Sequence, residues 1–160
     1  MRHTITILVE NEFGVLTRIA GLFSARGYNI ETLNVAPTLD KTVSRLTLVT
    51  YGDDKIIEQI KKQLNKLIPV IKTEDISHVV HLERGMLMLK MMDTGGSLKA
   101  LQDAGAKIID HEEGNYFIAE FTGAPEAIDT LLTQVDTDDI IEMTRTGPVG
   151  MRRGSKGFVV

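Results

Sequence analysis

Apolar residues recur along this chain in two periods, one of two residues and one close to 3.6, and their alternation lays out the elements. Thr4 to Val9 is a run rich in β-branched residues that predicts a strand, ended by Glu10-Asn11-Glu12-Phe13-Gly14. Val15, Leu16, Ile19, Leu22 and Phe23 follow at helical spacing, and Gly27 supplies a left-handed stop. Tyr28 to Ala36 predicts a second strand and Pro37 to Lys41 a turn. Val43 to Thr50 predicts a third, with Leu46 and Leu48 on one face and Arg45 and Thr47 on the other. Gly52-Asp53-Asp54 then opens a helix carrying Ile56, Ile57, Ile60, Leu64 and Leu67, stopped by Pro69, and Val70 to Ile76 closes the series as a strand. The order is βαββαβ, a ferredoxin-like split unit.

The remaining chain repeats this order with little side-chain identity. Met86 to Met92 predicts a strand, Ser97 to Ala104 a short helix stopped by Gly105, and Ile108-Ile109 the start of another strand. Gly114-Asn115 turns into a strand over Tyr116 to Phe121. Pro125 opens a helix whose stripe is Ala127, Ile128, Leu131, Leu132 and Val135, and Ile140 to Met143 closes the unit. The fold class is therefore α+β, with two ferredoxin-like βαββαβ domains in tandem. The boundary falls near Ser77 to Glu83, giving domains over residues 1–77 and 78–160. The second domain is expected to end in a mobile basic tail, Gly150-Met151-Arg152-Arg153-Gly154-Ser155-Lys156-Gly157. A split unit covers one sheet face with two helices. The other face and the sheet edges are expected to be open, and this predicts at least a homodimer.

Composition narrows the function. The 160 residues contain no cysteine, so disulfides, thiolate metal sites and thiol nucleophiles are excluded. Lys and Arg number 18 against 22 Asp and Glu, a formal charge of −4, and there is no Trp. An acidic chain poor in aromatics is a poor match for nucleic acid, which needs basic surface and stacking platforms. No apolar run is long enough to span a membrane. The chain starts directly with a strand-like segment rather than a leader, which predicts a cytoplasmic protein.

Candidate chemistry concentrates in the first strand-to-helix loop. Glu10 to Leu16 leaves a strand and opens a helix, so free backbone N–H groups face outward at the positive end of the helix dipole. Gly14 permits close approach of a carboxylate, and the Asn11 side-chain carbonyl can accept from an ammonium. Together they suit the head group of a free amino acid, and the loop would serve equally as a plain connection. Asn29 and Ile30 open the next strand. It is expected beside the first, so that Asn29 faces the Asn11–Gly14 loop or its copy on a partner. His78 and His81 lie three apart and His111-Glu112-Glu113 lies at a hairpin, with no third ligand at usable spacing, so no metal site is expected. Asp136-Thr137-Asp138-Asp139 lacks the glycine and distal glutamate of a calcium loop. Met86, Met88, Met91 and Met92 suit a soft core or interface strand. Phosphate-binding glycine motifs, nucleophile elbows and H-E-x-x-H are all missing, and no catalytic constellation is expected.

Glu10-Asn11-Glu12-Phe13-Gly14-Val15-Leu16-Thr17-Arg18 resembles the ENxxGVLxR opening of a regulatory ACT domain. Gly21-Leu22-Phe23-Ser24-Ala25-Arg26-Gly27-Tyr28-Asn29-Ile30-Glu31-Thr32-Leu33 is similar to the GLFSxRGYNIExL string that follows it. Ser44-Arg45-Leu46-Thr47 and Gly52-Asp53-Asp54 continue the likeness, and Arg145-Thr146-Gly147 through Arg153-Gly154 resembles an RTG…RG ending. The whole set resembles the small regulatory subunits of acetolactate (acetohydroxyacid) synthase over nearly the full chain. Two departures stand out. The first helix of the second half is short, with Gly95-Gly96 at its start, and Phe13 stands where the family often carries proline or a small residue.

The resemblance implies a non-catalytic subunit in branched-chain amino-acid biosynthesis. It would activate a large catalytic subunit that carries thiamine diphosphate, Mg2+ and FAD, and confer feedback inhibition by valine, or by leucine or isoleucine. It binds no cofactor of its own. The implied effector site lies between two ACT domains of a dimer and maps to Asn11, Gly14, Val15, Leu16, Asn29 and Ile30. A competing expectation is an ACT-type amino-acid-responsive regulator acting on another partner or on transcription. The acidic charge and the lack of a helix-turn-helix segment count against the second form, and a small enzyme on this scaffold lacks a catalytic set.

Overall fold

A computed structural model describes residues 1–160. Met1–Leu82 and Val149–Val160 form one compact unit, and Glu83–Pro148 forms the other. The division therefore falls between Leu82 and Glu83.

The first unit runs β1 (Arg2–Glu10), α1 (Val15–Ser24), β2 (Ile30–Pro37), β3 (Val43–Tyr51), α2 (Asp54–Leu64) and β4 (Val70–Asp75). Its strands lie in the order β2-β3-β1-β4, all antiparallel, with Glu10 opposite Val43 and Arg2 opposite Tyr51. Odd positions of β1 turn to the helices: Ile5, Ile7 and Val9 pack with Leu46 and Leu48 of β3, with Val15, Ile19 and Phe23 of α1, and with Ile57, Ile60 and Leu64 of α2. Asp53 caps α2 by accepting from the Lys55 N–H at 2.8 Å, while Lys61 and Lys62 occupy its last turn. Both placements complement the helix dipole.

The opposite face of this sheet is covered, contrary to the expectation of an open face, and the cover is the C-terminal segment expected to be a mobile tail of the second domain. β9 (Val149–Arg152) sits against β3. The Gly150 N–H donates to Thr47 Oγ1 at 3.2 Å, and the Arg45 guanidinium donates to the Gly150 carbonyl at 2.8 Å. A Cβ on Gly150 would stand 2.7 Å from Ile76 Cδ1, so the close approach requires glycine. Arg152 pairs with Glu74 at 2.7 Å. Phe158 packs on Leu8 and Val43 beneath the cations of Arg45 and Lys72. Thr4, Thr6 and Thr47 are consequently buried on that face. The apolar character of Val149, Met151 and Phe158 among basic neighbours explains the difference: charge density suggested a solvated tail, while alternating apolar positions gave it a surface to bind.

The second unit repeats the topology with β5 (His81–Met92), α3 (Ser97–Asp103), β6 (Lys107–Glu112), β7 (Tyr116–Gly123), α4 (Pro125–Leu132) and β8 (Ile140–Arg145), in the strand order β6-β7-β5-β8. Leu87, Leu89 and Met91 face the helices with Phe117, Ile128 and Leu131. Met86 and Met88 are half-buried and Met92 is exposed, so the methionine strand is only partly core. The segment between β5 and β6 is 14 residues against 19 between β1 and β2, and α3 has 7 residues against 10 in α1. No helix is long and apolar enough to cross a membrane.

Candidate functional site

The loop after β1 is held by backbone and side-chain hydrogen bonds at one end of the first sheet. The Glu10 N–H donates to the Pro69 carbonyl at 2.8 Å and the Asn11 N–H to the Thr42 carbonyl at 2.7 Å. Asn11 Nδ2 donates to the Lys41 carbonyl at 3.0 Å. Asn11 is thereby tied to the β2–β3 turn, itself closed by Asp40 accepting from the N–H and hydroxyl of Thr42 at 2.9 and 2.7 Å. With its amide nitrogen engaged, Asn11 leaves Oδ1 as an acceptor at the exposed loop.

Gly14 occupies the position before α1 with φ 81° and ψ −1°, a left-handed conformation that favours glycine, and no side chain caps the helix. The first intrahelical bond runs from Arg18 N–H to the Gly14 carbonyl at 3.0 Å. The N–H groups of Val15, Leu16 and Thr17 therefore precede the ladder and point out of the helix start. Val15 is buried and anchors the turn, whereas Leu16 is 42% exposed and Phe13 fully exposed, so the loop presents apolar surface beside its donors. Glu10 and Glu12 flank it. Hydrogen bonding to Glu12 pushes the Glu10 carboxyl above its ordinary value, with burial and the Glu12 charge acting the same way. Sequence reasoning passed over this acidic pair, although its Glu-x-Glu spacing was visible.

Asn29 and Ile30 lie elsewhere. β2 does not run beside β1, as expected from sequence, because β3 is inserted between them. Ile30 stands opposite Thr50, whose hydroxyl donates to the Asn29 carbonyl at 2.6 Å, and Thr50 stands opposite His3 at the start of β1. The Asn11 loop is at the Val43 end of β3 and Asn29 at the Thr50 end. Seven residues of strand separate those ends by about 23 Å. A free amino acid cannot reach both within one chain. The structure brings Asn11, Gly14, Val15 and Leu16 together and sets Asn29 and Ile30 apart from them. Between the two groups runs β2, an edge strand with Leu33 and Val35 exposed.

The histidines divide as well. His111 Nε2 meets Asp93 Oδ2 at 2.9 Å on the hairpin, and His81 Nδ1 meets the Val79 carbonyl at 2.7 Å. His78 converges with Asp54 and His3, a grouping that the sequence did not suggest. Asp136 caps the short turn Thr137–Asp139 by accepting from Asp138 N–H at 3.0 Å, and Asp139 accepts from the Thr94 hydroxyl.

Comparison with known proteins matches both units. Residues 5–72 fit the model of the AHAS small subunit-like ACT domain, and residues 84–154 fit that of the small subunit of acetolactate synthase. The chain is 40% identical to the acetolactate synthase isozyme 3 small subunit of Salmonella typhimurium, covering 98% of each. It is 42% identical to the acetolactate synthase small subunit of Buchnera aphidicola from Schizaphis graminum, covering 96% of this chain and all of that one. The solved acetolactate synthase small subunit of Thermotoga maritima superposes with a TM-score of 0.90 at 33% identity, covering 98% of this chain and 99% of that one. The chain therefore belongs to the family of acetolactate synthase small subunits, and its first unit is an ACT domain of that family.

Proposed function

We propose that this chain activates the catalytic subunit of acetolactate synthase and makes it subject to feedback by valine, through an effector site shared by two copies of the ACT domain. The observation that carries this reading is the split of the six site residues to opposite ends of one sheet, with an unpaired β2 edge between them. Antiparallel pairing of β2 with β2 of a second copy, about a two-fold axis, brings one copy's Asn29 and Ile30 to the end where the other's Asn11, Gly14, Val15 and Leu16 stand. Two equivalent sites result.

In each site the effector carboxylate takes the N–H groups at the start of α1, where the helix dipole favours negative charge. The ammonium is held by Asn11 Oδ1 and by backbone carbonyls near Asn29. Leu16 of one copy and Ile30 of the other enclose the aliphatic side chain. Because the ligand bridges two chains, its contacts differ between arrangements of the dimer, which is the differential affinity that allostery requires. Coupling of this kind is worth ~1–3 kcal/mol. Thiamine diphosphate, Mg2+ and FAD belong to the catalytic subunit, and this chain contributes no reacting group.

Calorimetric titration with valine, leucine and isoleucine tests the site: saturable valine binding is expected, with loss in Asn29→Ala. In the reconstituted enzyme Gly14→Asp sets a carboxylate against that of the effector, so feedback disappears while activation persists. A Gly14→Asp complex inhibited at the native valine concentration would overturn the assignment.

A further inference from the structure

We infer that His3, Asp54 and His78 bind a divalent cation of the zinc type at the end of the ACT domain remote from the Asn11 loop. The three residues come from the start of β1, the first turn of α2 and the segment after β4, and their ligand atoms lie within 4.8 Å of one another. They border a cavity of about 380 Å³, also lined by Asp75, Glu58 and Lys61.

His3 carries the inference. Its side chain is buried, and Nδ1 stands 2.9 Å from Asp75 Oδ2. Asp75 is itself fixed by the Ser77 N–H at 2.9 Å and by the Ser77 hydroxyl. A ring that donates Nδ1–H to a carboxylate holds the tautomer with a lone pair on Nε2, the arrangement by which proteins orient a metal-ligating histidine. That Nε2 has no hydrogen-bond partner although it is buried. Asp54 Oδ1 is 3.2 Å away, close enough for an ion pair yet off the line of an Nε2–H bond. Two acceptors facing each other across such a gap need a cation between them. Donor atoms around a tetrahedral zinc ion are about 3.3 Å apart, since each bond is about 2.0–2.1 Å. The His3–Asp54 spacing meets this already. His78 Nε2 is 4.0 Å from the same oxygen, and its exposed ring closes the remainder by a small rotation.

Two imidazole nitrogens and one carboxylate oxygen select a borderline ion over Mg2+ or Ca2+, which prefer oxygen ligands. The exposed side of the cavity leaves the fourth position to water. Such an ion ties three segments distant in sequence, so binding stabilises the folded state.

The test uses the full-length chain, free of tags and stripped of metal, titrated with Zn2+ by calorimetry and with Co2+ by visible absorption. One ion per chain is expected, with tetrahedral Co2+ bands and a melting temperature that rises with Zn2+ concentration. His78→Ala and Asp54→Asn change exposed side chains, and each should weaken Zn2+ binding at least tenfold. Asp75→Asn should weaken it by about 10–100-fold through loss of orientation of His3. His111→Ala should bind as the native chain does. Absence of saturable one-to-one binding would overturn the proposal, as would undiminished binding in both His78→Ala and Asp54→Asn. So would an His3 ring that is doubly protonated at neutral pH by NMR and unchanged by Zn2+, because the cation in the gap would then be a proton.

Discussion

At the scale of single residues, two glycines seven positions apart are expected to respond oppositely to the same change. Gly14 stands at φ 81° with nothing within 4 Å of an added Cβ, so the cost of Gly14→Ala is purely that of backbone conformation. A loss of about 1 kcal/mol is expected. Gly21 lies inside α1 with equally open surroundings, so Gly21→Ala should gain about 0.5–1 kcal/mol by helix propensity. Urea denaturation of the two variants beside the native chain checks both signs. Asp93 supplies a pH dependence. The hydrogen bond from His111 holds its carboxyl below the ordinary range, assisted by the Gly114 N–H. A depressed folded pKa gives stability that is complete above the unfolded value of about 3.9 and is lost as pH falls through the folded value. Melting temperature should therefore drop more steeply below about pH 4 in the native chain than in Asp93→Asn. Identical slopes would remove Asp93 from the acid response.

At the scale of elements, the C-terminal segment behaves as part of the ACT domain. Phe158 is 8% exposed and joins Leu8 and Val43, while the adjacent Val159 is 64% exposed. Phe158→Ala should destabilise the first unit by about 3 kcal/mol, the usual cost of removing a buried aromatic side chain. Val159→Ala should stay within about 0.5 kcal/mol. Hydrogen exchange of β1 and β3 amides distinguishes this from a loss confined to the terminus, because opening the second face would raise exchange at Thr6 and Thr47. Unchanged protection in Phe158→Ala would mean that the segment contributes nothing to the sheet it covers.

At the scale of the whole molecule, the edge of β2 is where assembly and effector binding meet. Leu33 and Val35 are 38% and 41% exposed on a strand whose outer side has no partner strand within the chain. Charges on an edge strand oppose pairing with a second edge. The double variant Leu33→Lys, Val35→Lys should keep its circular dichroism, sediment as a monomer and fail to bind valine. A monomeric variant with native valine affinity would place the effector within one chain, against the 23 Å separation of the two residue groups.

The elements themselves were legible because each rests on local periodicity: the alternation in Thr4 to Val9, the stripe from Val15 to Phe23 and the stop at Gly27 are visible within a dozen residues. The loop from Asn11 to Leu16 was legible for the same reason, since a helix start exposes its N–H groups wherever it lies. Strand order was not. Inserting β3 between β2 and β1 is a choice among pairings that share one hydrophobic pattern, and that choice alone decides that Asn29 cannot meet Asn11 in the same chain. Phe158 covers Leu8, and His3 meets Asp54 and His78, across long stretches of sequence with no spacing signal. Such contacts arise when a sheet closes and its faces seek cover. They depend on which surfaces the fold juxtaposes, and no local pattern in the chain encodes that.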